Sequence, residues 1–244
     1  MAETIAAQPA AAAPKGLLAR AIGVLIAPRA TYASVCARPR ALGALLLVLA
    51  IAATVTVAFL STEVGQQAAL DQQIRQAEAF GRQMTAAQQA QMERFLPYFG
   101  YIGAASQVVS ITLISLLIAG LALAVFNALL GGDATFKHVF AVVVHSGFII
   151  TLQQLFVLPL DYVRESLTSP TNLAVFLPFL DDNTFAARLL GAIDLFLIWW
   201  AVSLAIGLGV LYKRRTGPIA VGMLAFYFVI ALAIAAVRTA LAGV

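Results

Sequence analysis

Apolar residues run along this chain in long uninterrupted stretches separated by short polar ones, the pattern of bilayer-spanning helices and not of the striped helices of soluble proteins. Residues 41–60 form a charge-free run of twenty, about 30 Å as a helix, which matches the hydrocarbon thickness of a bilayer. Four further spans are predicted over 98–130, 136–156, 189–210 and 219–236. The second is longer than a bilayer requires, so it must tilt or protrude at one end. The short Gly131-Gly132-Asp133 turn makes the third its antiparallel neighbour.

Between the first two spans, residues 61–96 turn abruptly to Gln, Ala and mixed charge. Leu70, Ile74, Ala77, Gly81 and Met84 recur at spacings of four and three, and Thr85-Ala86-Ala87-Gln88 fits a capping box that restarts a helix. An extramembrane helical hairpin is predicted there. Upstream, Leu17, Leu18, Ala21, Ile22, Leu25 and Ile26 share one helical face with Arg20 off it, which predicts a basic amphipathic segment over 16–40 lying at the membrane interface. Pro28 interrupts it, and a second short helix through Tyr32 and Val35 runs to Pro39. Residues 1–15, rich in Ala and Pro, have neither the basic start nor the apolar middle of a cleavable signal peptide and are expected to form a disordered tail. The predicted fold is all-α: a polytopic membrane protein with five transmembrane helices, an N-terminal interfacial helix and an outer hairpin between helices 1 and 2.

Composition excludes a soluble enzyme, since 62% of the residues are hydrophobic and only 11% charged, against roughly half and a quarter in soluble domains. The placement of charge sets orientation. Lys15, Arg20, Arg29, Arg38 and Arg40 include no acid among them, and Lys213, Arg214 and Arg215 form a second basic block. Both are predicted to face the cytoplasm and to contact lipid headgroups. The loop after the third span carries Asp161, Arg164, Glu165, Asp181 and Asp182 and suits the outside; Asp181-Asp182 reads as an acidic cap for the fourth span. Five crossings then place the N-terminus in the cytoplasm and the C-terminus outside. The single cysteine, Cys36, reads as a free thiol.

One acid falls within a predicted span. Asp194 lies about 8 Å outward of its midpoint, where a carboxylate must be paired, protonated or hydrated. Gln153 and Gln154 lie at similar depth on the third span and Gln107 on the second, and amides donate to carboxylates. Adjacent helical residues point about 100° apart, so only one of Gln153 and Gln154 can face Asp194. The candidate cluster is Asp194 with Gln107 and one of those glutamines. His145, near the middle of the third span, is expected to make a helix-helix hydrogen bond to a Ser or a backbone carbonyl. The chain has no phosphate loop, no HExxH, no GxSxG and no CxxC, so no catalytic residue, cofactor, metal or nucleic-acid partner is implied.

The order of features carries a resemblance. A basic segment with Pro28 and Pro39, an uncharged span and a Gln-rich hairpin precede Gly132-Asp133-Ala134-Thr135-Phe136-Lys137, which opens the third span. Ile193-Asp194-Leu195-Phe196-Leu197-Ile198-Trp199 stands in the fourth, followed by Ala205-Ile206-Gly207-Leu208. Over roughly residues 17–236 the chain resembles the Yip1 domain family, its bacterial branch most. The resemblance implies a multi-spanning protein of the bacterial cytoplasmic membrane without enzymatic activity. Its implied partners are lipids and either a membrane protein, such as export or trafficking machinery, or a second copy of itself. The Asp-Leu-Tyr-Gly-Pro motif of eukaryotic members is absent, so small GTPase binding does not carry over. Two function classes are therefore set against each other: a non-enzymatic membrane scaffold or accessory protein, and a small-solute or ion transporter whose path passes Asp194.

Overall fold

A computed structural model describes residues 16–79, 82–181 and 184–242. The expected tail over 1–15, with Lys15, lies outside the described residues, as do Gly81 of the hairpin stripe and Asp182 of the expected acidic cap. The described residues form α1 (Leu17–Ile26), α2 (Pro28–Ala37), α3 (Ala41–Leu60), α4 (Glu63–Ala79), α5 (Ala86–Phe95), α6 (Phe99–Leu123), α7 (Phe136–Ser146), α8 (Phe148–Arg164), α9 (Phe185–Gly191), α10 (Leu195–Leu211) and α11 (Thr216–Ala242). The protein is all-helical and integral to the membrane. Among the described residues four helical stretches are long and apolar enough to cross a bilayer: Ala41–Leu60, Ala86–Leu129, Phe136–Arg164 and Thr216–Leu241. α10 is apolar but has 17 residues, about 25 Å at the helical rise.

The first span begins and ends where the charge-free run does. The other spans differ in instructive ways. α5 passes through a 3-10 turn, Leu96–Tyr98, into α6, which ends in a π-helical turn, Ala124–Leu129. The resulting stretch of 44 residues is about 66 Å long, twice the hydrocarbon thickness. The predicted third span breaks at Gly147 and then runs on to Arg164, because Pro159 sits inside α8 instead of ending it, at the loss of one backbone hydrogen bond.

The segment predicted as one span over 189–210 is two helices, α9 and α10, separated at Ala192–Asp194. Its start is capped by Thr184, whose Oγ1 accepts from the Ala187 N–H at 3.2 Å, so a hydroxyl and not the expected acidic pair fills the capping position. In the outer region the capping box forms as its sequence predicts: the Thr85 N–H donates to Gln88 Oε1 at 2.9 Å and the Gln88 N–H to Thr85 Oγ1 at 3.3 Å. The hairpin is open, however. α4 buries Ala68, Ala69 and Leu70 and packs toward α3 and α11, whereas α5 buries none of its residues.

The core runs through the centre of the bundle, with Val139, Val142, Val143 and Ile149 of α7 and α8 packed among Val48, Ala119, Phe126, Leu204 and Leu208. The α1–α2 segment is part of it. Val24, Tyr32 and Val35 are fully buried, and α2 packs against α7 and α10. The apolar stripe of α1 divides: Leu18, Ile22 and Ile26 are exposed, Ala21 and Leu25 pack against the core, and Arg20, Gly23 and Val24 face protein. The segment expected to lie on the membrane surface is thus a structural wedge with only the outer edge of its stripe available to lipid. What the apolar pattern did not reveal is Gly23, where a Cβ would collide with Thr31 Oγ1, so that glycine there lets α1 fold closely onto α2.

Candidate functional site: the intramembrane polar residues

Asp194 stands at the break between α9 and α10 as the N-cap of α10. Its Oδ1 accepts from the backbone N–H of Phe196 at 2.8 Å, from that of Leu197 at 3.4 Å and from Gln153 Nε2 at 3.0 Å, and its Oδ2 accepts from Ser169 Oγ at 2.7 Å and Thr171 Oγ1 at 2.6 Å. An Asp in this position satisfies helix N–H groups that have no partner within the helix. The remaining donors come from α8 and from the loop after it.

That loop is tied to the break by backbone as well. Asn172 and Asp194 form an isolated antiparallel bridge, with the Leu173 N–H donating to Ile193 O at 2.9 Å and the Leu195 N–H to Thr171 O at 3.1 Å. From α11, Tyr227 Oη accepts from the Asp194 N–H and donates to Ala192 O, both at 2.9 Å. Four segments of chain therefore meet at Asp194, a residue only 7% exposed, three of them at its carboxylate and α11 at its backbone. The arrangement locks the break in the helix and fixes the outer loop onto it.

Of the expected cluster, the structure brings Gln153 to Asp194 and leaves Gln107 and Gln154 elsewhere. Gln107 Oε1 accepts from Thr56 Oγ1 across the α3–α6 contact. Gln154, turned away from Gln153 by the helical step, lines a cavity of about 500 Å³ between α3, α6 and α8 together with Gln107, Ser106, Ser110 and Asp161. Gln154 Oε1 and Asp161 Oδ1 are buried there without a hydrogen-bond partner. Ser169, Thr171 and Asp161 were not among the expected residues. The signal for the first two was Ser-Pro-Thr-Asn in the outer loop, a run of short hydroxyl and amide side chains suited to turns that bond back to backbone. His145 is fully buried and donates through Nδ1 to Ala141 O one turn back in its own helix at 2.7 Å, with Nε2 unpartnered, so its bond is local and not the expected link between helices.

The basic residues divide. Arg29, Arg38, Arg40, Lys213, Arg214 and Arg215 are solvent-accessible to differing degrees, whereas Arg20 is 5% exposed with its Nε unpartnered. Burial, followed by the like charges of Arg40 and Arg38, lowers its pKa. Arg20 therefore faces protein and not the headgroups expected of it. On α2, burial pushes the Cys36 thiol up to about 11, which makes it a poor nucleophile. Among the described residues no group of three or more His, Cys, Asp or Glu side chains is placed to hold a metal ion.

The family model of the Yip1 domain matches residues 22–237. The chain belongs to the Yip1 domain family. No curated protein and no solved structure matches it. The matched region takes in the α1–α2 wedge from Ile22 onward and ends within α11, so in this Yip1-domain protein the wedge belongs to the domain itself. The Yip1 family is not known for enzymatic activity. The geometry around Asp194, built from cap, bridge and loop contacts, has the form of a joint.

Proposed function

We propose that this Yip1-domain protein is a non-enzymatic accessory protein of the bacterial cytoplasmic membrane that holds a membrane partner through its outer arm. One observation carries the reading: the continuous stretch Ala86–Leu129 is about twice as long as the hydrocarbon, and its projecting part, α5, is capped at its N-terminus yet has no buried residue. Below it, Tyr98 and Tyr101 are exposed, in keeping with an aromatic belt at the membrane surface that leaves α5 standing clear of the lipid. A short helix with no buried residue is available to pack on another chain. The basic residues of α2 and of the α10–α11 turn support a cytoplasmic N-terminus by the charge rule, which puts the arm outside.

Photo-crosslinking in intact membranes of the native host tests this, with a benzoylphenylalanine at Gln89 on the arm and another at lipid-facing Leu117 as the reference. Gln89 is expected to give a discrete adduct with one second membrane protein, and deletion of 63–91 to abolish co-purification of that protein while the spans stay folded. An arm that yields no protein adduct, or a partner retained after the deletion, removes the reading. An adduct with a second copy of the chain makes the partner a homo-oligomer.

A second reading, passage of a small solute or ion, is favoured by the cavity beside Asp161 and not by Asp194, whose oxygens are both occupied. In proteoliposomes Asp161→Asn should then depress flux and change its pH dependence. Unchanged flux in that variant ends the transport reading.

A further inference from the structure

The two basic blocks, 184 residues apart at Arg29 and Lys213, meet at one end of the bundle. Arg29, Lys213, Arg214 and Arg215 line a cavity of about 760 Å³ closed by Thr216 and Gly217 at the start of α11. Among the described residues no acid lines it; Asp133, which acts on the nearby Tyr212, is outside its wall.

The cations are held in place by structure. Lys213 takes a left-handed conformation, φ 52°, which turns the chain so that the Arg214 N–H donates to Gly209 O at 2.8 Å. Arg214 Nη2 donates to Leu130 O at the end of α6. A Cβ on Gly209 would lie 3.1 Å from Arg214 O and 3.0 Å from Thr216 Oγ1, so a larger residue there would push the turn a few tenths of an ångström away from α10. The helix that carries Arg29 is anchored from the other side. One helical turn along α2, Tyr32 Oη and Ser203 Oγ share a hydrogen bond of 2.8 Å, and the Tyr32 ring lies flush on Gly207, where a Cβ would come within 3.0 Å of it.

We propose that this cavity is a binding site for a phosphate group carrying net negative charge, held by Arg29 and the Lys213–Arg215 turn. Three physical facts converge. Four cations with no carboxylate among the described residues lining the cavity attract an anion, and at a membrane surface that attraction acts within about a Debye length. Guanidinium groups pair with phosphate oxygens in bidentate fashion. The first N–H groups of α11 have no partner within their helix, since α-helical bonding begins only at its fifth residue, so at Thr216 and Gly217 they add donors at the positive end of the helix dipole. The phosphate belongs either to an anionic lipid headgroup or to free phosphate, and the chemistry of the site is the same for both. The site is independent of the outer arm, which lies at the far end of α6.

Full-length protein in a zwitterionic detergent is titrated with dioctanoyl phosphatidylglycerol, with dioctanoyl phosphatidylcholine and with inorganic phosphate, and binding is read by native mass spectrometry and calorimetry. Phosphatidylglycerol is expected to bind in preference to phosphatidylcholine. Arg29→Gln and Arg215→Gln, both at exposed positions that leave the fold intact, should each weaken it about tenfold. Lys137→Gln removes the same charge outside the cavity and should change it by less than about twofold. Lipid binding that phosphate does not displace assigns the site to a headgroup, and displacement by phosphate assigns it to the free anion. Equal losses in Arg29→Gln and Lys137→Gln, or no preference for phosphatidylglycerol together with no phosphate binding, overturns the proposal.

Discussion

Asp194 and Asp161 are nearly equal in burial, 7% and 8% exposed, and opposite in what surrounds them. Asp194 receives five donors from helix N-terminus, neighbouring helix and loop. Asp161 presents an oxygen without a donor to a cavity that also holds the unpartnered Gln154 carbonyl. Burial alone does not distinguish a structural carboxylate from an available one; completion of its hydrogen bonds does. A satisfied carboxylate is a fastener, and an unsatisfied one keeps an acceptor for something that arrives later.

The sharpest way to break this contrast is to remove both carboxylates in turn. Asp194→Ala strands Ser169, Thr171, Gln153 and the two helix N–H groups together, and should destabilise the protein by about 2–4 kcal/mol in thermal or SDS unfolding in lipid. A loss under about 1 kcal/mol would mean the network is ornamental. Thr171→Val, which removes a single donor to Asp194 and keeps the shape, should cost about 1 kcal/mol by the same assay. Asp161→Asn should fall within about 0.5 kcal/mol of wild type or stabilise, because it replaces an unpaired carboxylate with a neutral amide that brings a donor to the cavity. A loss as large as that of Asp194→Ala would erase the distinction.

Most of the helical framework was legible because an uninterrupted apolar run has one reading in a bilayer. The first span and the Thr85 capping box follow from residues within the element itself. The break at Ala192–Asp194 was hidden by the strength of that signal: an acid flanked by apolar residues reads as a costly intrusion into one helix, whereas an Asp preceding Leu-Phe-Leu is also what a new helix requires as its cap. Of the candidate cluster, Gln153 was reachable from depth and helical step, and Gln107 was not, since the excess length of its helix leaves register undetermined. The burial of Arg20 and the meeting of Arg29 with the Lys213–Arg215 turn depend on how α2 packs on α10, which no local pattern encodes.

The bond between Tyr32 and Ser203 joins residues 171 positions apart. At the usual pace of synthesis, about 5–20 residues per second, α2 waits roughly 10–30 s before the α10 part of the surface it docks on has been made. During that interval its segment has the lipid surface and, once made, α7 and α8 to rest on, but not the helix that completes its seat. The wedge is therefore among the first elements made and among the last to be seated, so α10 completes the assembly by drawing the beginning of the chain into the bundle.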